Sequence, residues 1–181
     1  MKKLVVGLLI GTLLFSAAPQ RLYAVATEDI INDAQITSIK LHCTELQATL
    51  NRIRRADTLL RTDRGRIYRT VADKLMVPLN QRIASNKLDG SELVATTAEY
   101  NAEYQLFFDA YRTYDASLVA TLAIDCTKQP TTFYDKLAIA RNDRSKLHDS
   151  SAKLIGLAKQ YRTQFDTFKM DAASSDTKER T

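Results

Sequence analysis

From Ile36 to Val71 apolar residues recur at steps of three and four: Ile36, Ile39, Cys43, Leu46, Leu50, Ile53, then Leu60, Ile67 and Val71. That spacing lays one apolar stripe along a helix and restricts the chain to folds that bury such stripes against one another. Two further stretches carry the same signal. One runs from Leu93 through Thr97, Tyr100, Tyr104, Phe107, Tyr111 and Tyr114 to Leu118. The other runs from Phe133 through Leu137, Ala140, Leu147 and Leu154 to Tyr161, Phe165 and Phe168. Beyond residue 26 only Gly65, Gly90, Gly156, Pro78 and Pro130 could interrupt a helix.

Helices are therefore expected over about 33–87, 91–124 and 131–170. The expected fold is all-α: an elongated antiparallel three-helix bundle with coiled-coil-like packing. Past Val71 the first stripe continues as Leu75, Leu79 and Ile83, four apart, with Pro78 inside it. A proline removes a helix hydrogen bond and crowds the preceding turn, so the first helix is predicted to kink or break near Pro78.

Residues 1–26 read as a signal peptide and stand outside the fold argument. Lys2 and Lys3 precede an apolar run from Leu4 to Phe15, and Ala24-Val25-Ala26 supplies small residues for cleavage after Ala26. An uncleaved membrane anchor is the competing reading, although the run is short against the roughly 20 residues a spanning helix needs. Residues 27–170 then form the helical domain, and 171–181 a disordered polar tail. Losing Lys2, Lys3 and Arg21 takes the formal charge from +5 to about +2, too mild to argue for nucleic acid.

Cys43 and Cys126 are the only cysteines. An even count in an exported chain reads as one disulfide, and two free thiols are the other reading. The pair also tests register. A continuous first helix that turns near residue 89 would leave the two cysteines nine residues out of step. A disulfide holds its Cα atoms within about 7 Å and cannot absorb that. An interruption at Pro78, or a chain that extends past Ile124 to meet Cys43, would restore the match.

No motif for chemistry is present. His42 and His148 lack the acidic spacing of a metal site, and the pairs Glu99 with Glu103 and Asp143 with Asp149 have no evident cleft. The expectation is no catalytic residue, no metal and no cofactor. Charged seam positions are expected to form a structural polar layer of Asp57, Arg64, Asp115 and Arg144, with tyrosine hydroxyls nearby, because a buried charge needs a partner. Arginines crowd residues 52–69. Arg52, Arg55 and Arg66, with Phe108 from the second helix, make a candidate interaction surface.

The segments Asp63-Arg64-Gly65-Arg66-Ile67-Tyr68, Lys74 to Asn80, Tyr111-Arg112-Thr113-Tyr114-Asp115 and Ile124-Asp125-Cys126 through Tyr134 complete the pattern. It resembles uncharacterised secreted helical proteins of candidate-phyla-radiation bacteria, the saccharibacterial group among them. The resemblance implies an exported helical protein with Cys43 paired to Cys126, and it transfers no activity.

The leading functional expectation is a non-enzymatic extracytoplasmic module of the cell envelope, secreted or surface-held. Its partner would be a protein or cell-surface component, or a second copy in a homodimer. Membrane contact is expected only through an uncleaved N-terminal segment. The alternative is an envelope carrier or chaperone that holds an apolar ligand or chain in an aromatic groove of Tyr104, Phe107, Phe108 and Tyr111.

Overall fold

The computed structural model describes residues 31–179, with side chains for 31–171. The signal-peptide expectation lies outside the described residues. Helix α1 is Asp33–Leu41, α2 is Cys43–Thr70, a π-helical segment covers Val71–Met76, α3 is Val77–Ser85, α4 is Ser91–Leu122 and α5 is Pro130–Glu179. Because α2, the π segment and α3 run on without a gap, the described residues form four helices. This overturns the three-helix bundle expected from the stripes.

The extra helix arises at the N-terminal end. Asn32 and Gln35 form a reciprocal capping box, each side chain accepting the other's backbone N–H at 2.9 Å. That starts α1, and the chain leaves helical geometry at His42, with φ −106° and ψ 16°. The break precedes Cys43 and lies far from Pro78.

At Pro78 the helix neither stops nor starts afresh. Val77 N–H donates to Ala72 O, five residues back. This wider π turn shifts the hydrogen-bond ladder just before the proline, which then sits in the first turn of α3, where a missing N–H costs little. The predicted kink or break at Pro78 is replaced by this π segment.

Register follows from cross-helix pairs. Gln47 donates to Ile124 O, Arg54 meets Asp115, Thr58 meets Tyr111, and Tyr100 donates to Tyr68 O. This alignment carries Cys43 onto Cys126 with Cα atoms 5.5 Å apart, and the two are disulfide-bonded. Asp125 tightens the turn beside it by accepting the backbone N–H groups of Thr127 and Lys128.

α4 is the central helix. Tyr100, Phe107, Tyr114 and Leu118 are buried on it, and α2 and α5 both pack against it. Tyr100, Phe133, Met76 and Leu154 are among the most deeply buried side chains. Past Ile53 the stripe predicted for α2 turns partly away from this core: Leu60, Ile67 and Leu75 are exposed and Gly65, Tyr68, Ala72 and Met76 are buried in their place, while Leu46 and Leu50 pack on the core and the seam position Asp57 is buried. A strict heptad drifts by about 20° per repeat on a straight helix, so a helix that packs at 3.6 residues per turn selects positions four apart. Gly65 admits the Phe108 ring, whose Cζ would lie 3.1 Å from an added Cβ.

At Gly90 an added Cβ would meet Ile83 Cγ2 at 2.8 Å. Ile83 is 5 % exposed and Cγ2 is a methyl on its branched Cβ, so it cannot swing aside. Gly90→Ala is expected to cost about 1–2 kcal/mol through overpacking, read as a lower urea midpoint at unchanged slope.

Candidate functional site

α2 and α5 both rest on α4 and leave a groove between them. Its larger part is a cleft of about 440 Å³, floored by Phe107 of α4. Leu60 of α2 and Leu147, Ala152 and Ile155 of α5 form its apolar walls. Leu60 and Ile155, at 54 % and 40 % exposed, turn their side chains toward this concavity and not into the core. A second cleft of about 310 Å³ continues the groove toward the disulfide, between Leu46, Leu50 and Ile53 on one side and Leu137 and Ala140 on the other.

A bar of charge separates the two clefts, and Arg144 lines both. Arg144 donates from Nε at 2.9 Å and from Nη2 at 3.1 Å to the Asp57 carboxylate, which also accepts the Tyr114 hydroxyl at 2.7 Å. Burial alone would raise the Asp57 carboxyl, but the hydrogen bonds from Arg144 and Tyr114 outweigh it and hold the group below its usual value. Burial and the neighbouring carboxylate push the Tyr114 hydroxyl up, so it remains a donor.

The four residues expected in one polar layer are divided among three places. Asp57 and Arg144 come together. Asp115 takes Arg54 instead, from Nε at 2.7 Å and Nη2 at 3.1 Å. Arg64 stands exposed on the rim of the larger cleft. The register explains this: the alignment that joins the cysteines puts Arg54, not Arg64, opposite Asp115. Sequence reading also missed the buried Glu103, which accepts Ser150 Oγ at 2.5 Å and pairs with Lys153 Nζ at 2.8 Å. Its position next to Tyr104 on the α4 stripe was the available signal.

The candidate interaction residues are dispersed. Arg52 reaches Thr49 and Arg66 reaches Asp63 on the exposed face of α2, and Arg55 is exposed too. Phe108 is half-buried against Gly65 and Tyr104. Of the aromatic residues expected to line a groove, Phe107 does so, and Tyr111 and Phe108 lie under Arg61.

Arg61 stands out among the cationic side chains of the cleft. Its guanidinium carbon is 4.7 Å from the Tyr111 ring centre and 5.9 Å from that of Phe108. Its Nε is buried and has no hydrogen-bond partner among the described residues. His148 adds an imidazole to the same lining. Among the described residues no group of three or more His, Cys, Asp or Glu could hold a metal ion, and no helix is long and apolar enough to cross a membrane.

The arrangement is that of an all-helical domain with a partly buried aromatic cluster, suited to a binding or structural module. No family model, no curated protein and no solved structure matches the chain.

Proposed function

We propose that this protein is a non-catalytic extracytoplasmic binding module that carries an apolar ligand in the groove between α2 and α5. The observation behind this reading is the 440 Å³ cleft, floored by Phe107 and walled by outward-turned Leu60 and Ile155. Small-molecule sites are concave, mostly apolar, about 300–1,000 Å³ in volume, and carry a few placed polar groups. The leader-like residues 1–26 support an extracytoplasmic setting, and a disulfide suits an oxidising compartment. A role in binding another envelope component is the second reading, favoured by exposed Arg52, Arg55 and Arg66.

Nile red, an uncharged apolar dye, provides the test. It is expected to bind the oxidised protein with a blue shift in emission. Ala152 is exposed on the cleft wall, so Ala152→Trp fills the space without disturbing the core. This variant is expected to weaken dye binding about tenfold or more at unchanged helicity. Equal binding by both proteins would remove the cleft from consideration.

A further inference from the structure

We propose that the occupant of the larger cleft is a single-chain fatty carboxylate, its head held by Arg61 and its tail on the apolar lining. This deepens the carrier reading and rests on it.

The cleft lining holds one carboxylate, Asp57, against Arg61, Arg64, Arg144 and His148. Asp57 is already taken by Arg144 and Tyr114. Arg61 and Arg64 make no ion pair among the described residues, so the charge of the site calls for an anion.

Arg61 indicates which anion. Twice in this fold an arginine grips a carboxylate through its Nε and Nη2 edge: Arg54 on Asp115 and Arg144 on Asp57. The Nε of Arg61 is buried and closed to a ligand, which leaves the edge formed by its two Nη nitrogens for the cleft. Its guanidinium is steadied by the rings of Tyr111 and Phe108. A planar carboxylate is the group that matches one such edge with two parallel hydrogen bonds.

The remaining lining selects the tail. Apart from Ser151, whose hydroxyl is bonded to that of Tyr68, it consists of the apolar side chains Leu60, Phe107, Leu147, Ala152 and Ile155. A methylene is close in size to the roughly 30 Å³ share of a water molecule. The 440 Å³ cleft corresponds to about fifteen such groups, the size of one acyl chain.

Calorimetric titration of the oxidised full chain with laurate, dodecanol and dodecyl phosphate, each below its aggregation threshold, tests this. Laurate is expected to bind about tenfold or more tightly than dodecanol. Arg61→Gln should abolish that preference and leave dodecanol binding unchanged. Arg61→Lys keeps the charge and loses the fork, so an intermediate preference is expected even if the glutamine variant folds poorly. Equal binding of laurate and dodecanol would overturn the carboxylate assignment and leave the apolar carrier standing. Tighter binding of dodecyl phosphate than of laurate would overturn it as well. Failure of all three ligands to bind would sink both readings. So would a ligand-free dimer that Ala152→Trp dissociates, since a second copy would then occupy the groove.

Discussion

With serine at positions 43 and 126, the protein is expected to lose about 2–5 kcal/mol of stability. The disulfide closes a ring over a sequence separation of 83 residues, and such a ring strongly restricts the unfolded chain. The loss should not be uniform. Helix α1 has no buried residue, and Ile39, Cys43 and Leu46 pack where Cys126, Phe133 and Leu137 cluster, with Leu50 reaching the neighbouring cluster of Tyr111, Tyr114 and Leu118 as well. Hydrogen exchange should show the amides of α1 and the first turns of α2 losing protection. Those around Tyr100 and Phe107 should keep most of theirs. Unchanged urea midpoints and an unchanged exchange map would mean that packing alone holds the N-terminal end.

Replacing Asp57 by asparagine should cost about 2–4 kcal/mol near neutral pH. It removes the charge partner of Arg144 and weakens the acceptor for the buried Tyr114 hydroxyl. Arg144 is 56 % exposed and can turn to water, which keeps the loss below that of a fully buried pair. The pH dependence gives a sharper check. Folded Asp57 is held below its ordinary value, so the unfolded chain takes up the proton first as pH falls. The stabilisation is complete above about pH 4, and it is lost as pH drops through the lower folded value. Parent and variant should differ most above pH 5 or so and converge in stronger acid. A residual slope should remain in the variant. Asp89 is held down by the Ser91 amide and Asp125 by Lys128, and both act in the same direction. Parallel curves across the acid range would deny Asp57 this role.

The α4 stripe was legible from sequence because bulky residues at steps of three and four admit one buried face, and Leu93, Tyr100, Phe107, Tyr114 and Leu118 occupy it. The cysteine mismatch was legible too, since disulfide geometry tolerates little slip. Its remedy was not. A proline can be bypassed by one widened turn, and nothing in Lys74 to Leu79 distinguishes that from a break. The helix end at His42 was hidden for a related reason: the stripe passes from Ile39 to Cys43 with the same step on either side of it. The groove was the least legible feature. Leu60 reads as a core position in a heptad, and only the drift of a straight helix turns it outward. Arg61, next to it, carries no sequence signal, because its placement depends on two rings from another helix.

The bond between Cys43 and Cys126 also determines how the domain would meet a pulling force. Tension applied at residues 33 and 171 would pass from α1 across the sulfur bridge and directly into α5. The loop formed by α2, the π segment, α3 and α4 lies outside that path. Only α1 and α5 could be drawn out, α5 by peeling from α4, and the contour length released would stop at the bridge until a reductant cut it.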